Sequence, residues 1–258
     1  MGKLFELIGK DIIIFFTEAG KITILFFRIF YWMFKKPSEA KSIFQQMVII
    51  GVNSFLVITI TSLSTGMIMA LQTGTSLERK ISGSALFLGG IVSLALTREL
   101  APVLAALIIA GKIGSAIAAE IGTMNVTEQI DALHTMATSP VKYLAVPRFL
   151  ACVFMLPVLT IYSDFLGILG GLFISVNTFD VSYNTFVEGI SFYLTTGDIL
   201  KGLLKTVFFG AIIATVGCYK GFETSGGAEG VGKSTTSSVV ISSMLILVAD
   251  YILTAFLW

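Results

Sequence analysis

Charge is what this sequence has least of. Only 13% of its 258 residues are Asp, Glu, Lys or Arg, against roughly a quarter in a soluble domain. Hydrophobic residues make up 55% of the chain and the mean hydropathy is +0.91. Such a chain cannot cover a globular surface with polar groups, so lipid must be its main solvent. Histidine is scarcer still, with His134 alone. An intramembrane enzyme needs a nucleophile and a base at depth, and His134 lies outside the apolar runs, so no catalytic residue is expected. The two cysteines, Cys152 and Cys218, sit in apolar runs with neither metal-ligand spacing nor a disulfide framework. They read as small core residues, and no metal site is expected. No basic block points to nucleic acid, and a net charge of +1 says little about partners. The N-terminus lacks a short apolar region ending in small residues, so no cleaved signal peptide is expected. No internal repeat is visible, which counts against an inverted-repeat secondary transporter.

Long apolar runs are what is there. Five can span a bilayer, roughly 47–71, 85–111, 149–176, 199–219 and 238–258, since about 20 residues suffice at a helical rise of about 1.5 Å. Ahead of them, Lys3, Lys10, Lys21, Arg28 and Lys35 are spaced 7, 11, 7 and 7 apart, close to whole helical turns. They form one basic stripe on an otherwise apolar and aromatic helix, which suits the surface of the cytoplasmic leaflet. The alternative, that 12–34 spans the membrane, has Glu18, Lys21 and Arg28 against it. The expected fold is an all-α integral membrane protein. It has an N-terminal interfacial helix, five transmembrane helices and a cytoplasmic coupling helix, in one membrane domain over 1–258 with 1–46 interfacial and 47–258 the bundle. Basic residues set the orientation. Residues 1–46 carry seven, 112–148 carry Lys112, Lys142 and Arg148, and 220–236 carry Lys220 and Lys233, against Arg79 and Lys80 on the other side. That places the N-terminus in the cytoplasm and Trp258 outside.

Two of the few charges lie where charge is expensive. Arg98 and Glu99 sit at the midpoint of the 85–111 run, where an ionisable group costs roughly 2.5–3.5 kcal/mol on insertion scales and must face protein or water. Sequence neighbours on a helix diverge by about 100°, so they do not pair with each other. Asp250, at matching depth in 238–258, is the expected partner of Arg98, leaving Glu99 to face a cavity. Pro102 is placed to kink the helix. Asp198, Lys201 and Lys205 share a face where the fourth span begins. These charges either glue helices together or line a path for an amphipathic substrate.

Between the second and third spans, Asn125 and Glu128 fit a capping box that opens an amphipathic helix over 126–137. Glu128 and Asp131 share one face; Ile130, Leu133 and Ala137 share another. A helix too short to span, held between two spans, is either a docking lever for a soluble partner or an ordinary solvated loop helix. His134 on it is expected to be a contact residue. Residues Gly227 to Ser234 match G-x-x-x-x-G-K-S/T in every position. A P-loop, however, needs a strand before it and a helix after it within a parallel sheet, and only 16 residues separate Ser234 from Asp250. The glycines are read instead as permitting a tight re-entry turn.

Together, Thr97 to Leu104, Gly111 to Ala116, Ala119 to Met124, Val126 to Leu133 and Gly227 to Gly232 resemble the MlaE/YrbE permease family, and the likeness extends over nearly the whole chain. The resemblance implies a homodimeric permease of an ABC transporter that moves phospholipid between inner and outer membranes. A cytoplasmic ABC ATPase, which would hold the ATP and Mg, would dock around Glu128, Ile130, Asp131, Leu133 and His134. A periplasmic MCE-domain protein would sit outside, and a STAS-domain protein is a further candidate partner. By the same resemblance Arg98, Glu99 and Asp250, with Asp198 and Lys205 nearer the exit, would border the lipid cavity. The rival from another class is an ATP-independent secondary transporter or channel for an amphipathic solute.

Overall fold

The computed structural model of the chain describes residues 2–35, 40–78 and 85–258, all helix or short turn, with no strand among them. Lys36, Arg79 and Lys80, and the side chains of Lys3 and Lys10, lie outside the described part. Of the basic stripe, Lys21 and Arg28 lie on helix α1 (Gly2–Phe34) and Lys35 directly follows it. Next comes α2 (Ala40–Glu78), then one long helical rod built from α3 (Ala85–Ala95), α4 (Ala101–Ile109) and α5 (Ser115–Val126). Two π-helical turns, Leu96–Leu100 and Ala110–Gly114, join its pieces without breaking it. The short α6 (Gln129–Thr135) and a third π turn, Val141–Ala145, lead into α7 (Val146–Phe179). The chain closes with α8 (Tyr183–Tyr193), α9 (Thr196–Phe222) and α10 (Gly227–Leu257).

Among the described residues five helical stretches are long and apolar enough to cross a membrane: Ala40–Leu77, Phe87–Val126, Val141–Phe179, Thr196–Phe222 and Gly227–Leu257. They correspond one to one with the five apolar runs, each extended at its ends by polar turns that continue the helix. The chain is therefore an all-α membrane protein. α8 falls between the third and fourth apolar runs. It is only 11 residues long, and its burial depends on α3: the carbonyl of Phe186 lies against Gly89 and the ring of Tyr193 against Gly90.

The spans pack by close backbone approach, as expected where lipid offers no hydrophobic drive between helices. A Cβ at Gly66 of α2 would fall onto the carbonyl of Gly167 in α7, and one at Gly170 onto the carbonyl of Leu63. Small hydroxyls fill the same seam, with Ser62 Oγ 2.7 Å from Ser163 Oγ and Thr59 Oγ1 2.7 Å from Tyr162 Oη. Helix α1 buries Leu25 and Ile29 against the bundle. Glu18 accepts from Lys220 at 2.8 Å and Lys21 donates to Glu223 at 2.7 Å, so α1 is tied to the end of α9. Farther along, the ring of Phe26 packs edge-on against Phe149 near the start of α7. α10 is the least enclosed span: Met244, Leu247, Val248 and Tyr251 are all exposed.

Candidate functional site

The charges at depth meet at one place, and a proline and a glycine put them there. Pro102 follows the first π turn and has no N–H to give to the carbonyl of Arg98, four residues back. That carbonyl accepts from Lys205 Nζ at 3.1 Å instead. Gly202 of α9 rests on the carbonyl of Thr97, where any side chain would collide. This contact fixes the register of α9 against the π turn. Asp198, one turn before Gly202, comes level with Arg98, and Lys205, about one turn after it, comes level with Glu99.

Two ion-pair groups result. Arg98 donates from Nε and Nη2 to Asp198 Oδ1 at 2.9 and 2.7 Å. Lys205, with a side chain 0% exposed, donates to Glu99 Oε2 at 2.9 Å and to Asp250 Oδ1 at 3.0 Å. The expected pairing of Arg98 with Asp250 is thus replaced by Arg98–Asp198 and Lys205–Asp250. Depth and sign alone could not choose among three cations and three carboxylates; the register set at Gly202 does. Nor is Glu99 left without a partner. Its Oε2 is held by Lys205 and its Oε1 accepts from Thr254 Oγ1 at 3.2 Å, while its side chain stays 40% exposed. All five predicted residues, Arg98, Glu99, Asp198, Lys205 and Asp250, therefore come together.

Sequence reading passed over two contributors. Thr195 closes a capping box with Asp198: Asp198 Oδ2 accepts from Thr195 N at 3.0 Å and from its Oγ1 at 2.7 Å. The S/T-x-x-D/E signal for it was present. Trp258 donates from Nε1 to Asp198 Oδ1 at 3.2 Å and lays its ring beside Arg98, Lys201 and Lys205. Nothing in the sequence marks that. Asp164 is a further ionisable residue within a span. It is buried in α7, and its Oδ1 has no hydrogen-bond partner among the described residues.

Beside the ion cluster runs an apolar groove of about 400 Å³, with Phe208, Ile212, Leu245, Ala249 and Leu253 on one side and Ile22 and Phe26 of α1 on the other. None of the charged residues lines it, but Leu253 lies about one turn beyond Asp250 on α10 and Phe208 about one turn beyond Lys205 on α9, so the groove continues the helix faces that carry the cluster. At the end of the bundle where α9 stops, a cavity of about 850 Å³ opens between α1 and α6, lined by Lys21, Arg28, Trp32, Ile130, Asp131 and His134 among others.

The coupling segment is shorter than expected and built differently. α5 runs on through Asn125 to Val126, so Asn125 does not start a helix. Its Nδ2 donates to the carbonyls of Phe222 and Thr224 at 3.1 and 2.8 Å, which tethers the end of α9. Glu128 makes the reversal in the left-handed region, with φ 61°, and makes no capping bond to Asn125. The helix then covers 129–135 rather than 126–137, leaving Ala137 beyond it at φ 53° and exposed, not on an inward face. Ile130 is buried and Leu133 half-buried, while Glu128, Asp131 and His134 stay exposed. Arg148, buried at the start of α7, reaches Glu120 of α5 at 2.8 Å and braces the two arms of this hairpin. The P-loop-like stretch is helical. The chain turns at Gly226 and Gly227, with φ 88° and 71°, and residues 227–234 are the first two turns of α10. No open loop of converging amides forms there.

Comparison with known proteins agrees with this architecture. The family model described as Permease MlaE matches residues 43–256. A probable ABC transporter permease protein of Rickettsia prowazekii (strain Madrid E) is 39% identical over 252 residues, covering 98% of this chain and 96% of that protein. Another, from Synechocystis sp., is 42% identical over 226 residues, covering 88% and 85%. The protein TRIGALACTOSYLDIACYLGLYCEROL 1, chloroplastic, of Arabidopsis thaliana is 38% identical over 217 residues, covering 82% of this chain and 60% of that one.

Proposed function

Because this chain belongs to the MlaE permease family and is a permease subunit of an ABC transporter, we propose that its cargo is phospholipid, moved between the inner and outer membranes of a bacterial envelope by a separate cytoplasmic ATPase. The observation that carries this reading is the juxtaposition of the ion cluster with the apolar groove. A polar headgroup meets Arg98, Glu99, Asp198, Lys205 and Asp250, where low dielectric strengthens its interactions. The acyl chains lie against Phe208, Ile212, Leu245 and Leu253. The Arabidopsis relative bears the name of a glycerolipid, which fits a lipid cargo.

In this reading the permease works as a homodimer, with the exposed apolar face of α10 turned to the second copy and the cargo held between them. The N-terminus and α6 face the cytoplasm, the C-terminus faces the periplasm, and α1 lies in the cytoplasmic interface. An ABC ATPase, holding the ATP and Mg, docks on the exposed face of Glu128, Asp131 and His134, while Ile130 and Leu133 root that helix in the bundle. A periplasmic MCE-domain protein receives or delivers lipid outside, with a STAS-domain protein as a further companion of the ATPase. Closure of the ATPase pair shifts α6, and the brace from Glu120 to Arg148 passes the shift to α5 and α7 as a two-state coupling between distinct sites.

Mass spectrometry of the gently extracted native complex tests the reading. An ABC ATPase with bound phospholipid is the expected result. A chain that carries no ATPase and transports without ATP would instead make it a secondary transporter. Asp250→Asn and Glu99→Gln are expected to lower lipid transport while leaving the complex assembled; wild-type transport in both would remove the cluster from the lipid path.

A further inference from the structure

Counting donors in the ion cluster shows where an anion can still be received. An ammonium has three N–H groups and a guanidinium five. Lys205 spends all three, on the carbonyl of Arg98, on Glu99 and on Asp250. Arg98 spends Nε and one N–H of Nη2 on the same oxygen of Asp198, so its second edge is uncommitted. Lys201 makes no hydrogen bond or ion pair with any described residue; its ammonium lies 5.1 Å from the centroid of the Trp258 ring. The same ring has Arg98 Cζ at 5.3 Å and Lys205 Nζ at 5.0 Å.

The charges divide in the same way. Arg98 and Asp198 neutralise each other. Lys205 is shared by two carboxylates, Glu99 and Asp250, leaving one negative charge in excess there. Lys201 is the cation of this group that pairs with no carboxylate among the described residues, and it balances that excess only at a distance. It sits half-buried one turn from Lys205, beside an aromatic face that favours a cation but supplies no acceptor oxygen.

Resting on the phospholipid reading above, we infer that Lys201 and the uncommitted edge of Arg98 are the seat for the phosphodiester of the headgroup, with Trp258 the platform that holds both cations. The remaining charges are committed to one another and frame the seat. Phosphate oxygens accept bidentate donation from a guanidinium edge and a point charge from an ammonium, which is the donor set left over here.

The test uses the permease purified with its ATPase in nanodiscs, comparing wild type, Lys201→Ala and Lys201→Arg. Binding of a short-chain phosphatidylglycerol is titrated beside that of a diacylglycerol of the same chain length, which lacks the phosphate. Loss of a charged hydrogen bond predicts roughly tenfold or more weaker phosphatidylglycerol binding in Lys201→Ala, with Lys201→Arg close to wild type and diacylglycerol unchanged in all three. Equal weakening of both lipids in Lys201→Ala would mean a general disturbance and overturn the inference. So would undiminished phosphatidylglycerol binding, or loss of the outer protein partner with lipid binding intact, which would assign Lys201 to a protein carboxylate. Excess inorganic phosphate that binds without displacing phosphatidylglycerol would identify a free-anion site and also overturn it. Absence of phosphatidylglycerol binding in wild type would fell the phospholipid reading itself, and this inference with it.

Discussion

Lys205 ties two other helical rods to α9 through a single side chain. Three acceptors on two other helical rods converge on one fully buried ammonium. A buried pair adds little net stability over an apolar replacement, but removing one partner strands the other charge, at about 3–5 kcal/mol. Lys205→Met should therefore lower the thermal midpoint of the detergent-solubilised protein markedly. Adding Glu99→Gln and Asp250→Asn to the same chain should recover most of the loss, because no uncompensated charge remains. If the triple variant melts as low as the single one, the cluster holds the helices by packing and not by charge balance. Pro102 and Gly202 act at the same scale: one frees a carbonyl and the other lets a backbone come close enough to use it.

At the scale of elements, α1 is the piece least committed to the bundle. Its ion pairs with the bundle include Glu18–Lys220 and Lys21–Glu223, the second exposed enough for solvent to screen it. Reversing Glu18 to Lys should raise amide exchange in α1, and the swap Glu18→Lys with Lys220→Glu should restore it. The hydrogen bond from Lys220 holds the Glu18 carboxyl below its ordinary 4.5, and the bond to Glu223 raises Lys21 above its ordinary 10.5. A lowered carboxyl contributes fully above its unfolded value and is lost as pH falls through the lowered folded one. A raised ammonium contributes fully below its unfolded value and is lost as pH rises through the raised one. Docking of α1 should thus be flat across neutral pH and loosen first on the acid side, below 4.5. Exchange protection in α1 that is unchanged at acid pH would show that apolar packing, with Leu25, Ile29 and Phe26 in it, holds the helix without the ion pairs.

For the whole molecule the question is how work done at one end reaches the other. α6 is rooted by Ile130 and displays Asp131 and His134, the face proposed above for the ATPase. Asp131→Lys is expected to reduce the ATPase that co-purifies with the permease by about tenfold, while the permease's own melting point stays put. Normal ATPase recovery would move the docking face elsewhere on the 850 Å³ cavity between α1 and α6. The rod from Ala85 to Val126 connects this end to the ion cluster. It carries two π turns, a feature frequent at functional sites, one of them at Arg98 and Glu99 themselves.

Composition and periodicity alone determined a good deal. The lack of charge made this a membrane chain, the lengths of the apolar runs counted its five spans, and the depth of Arg98, Glu99 and Asp250 meant that each had to face protein or water. Those properties are local, since each follows from how a short stretch partitions between water and lipid. Partners were not local. Arg98 pairs with Asp198 and not Asp250 because the contact of Gly202 with the Thr97 carbonyl brings Asp198 level with Arg98. The capping box lay at Thr195 and Asp198, not at Asn125 and Glu128, because α5 was able to continue and Asn125 had the end of α9 to tie. α8 formed because α3 offered glycines to pack on, and Trp258 joined the cluster from the far end of the last helix. Which helix faces which, and at what register, is decided where two backbones touch, and only the folded chain contains those contacts.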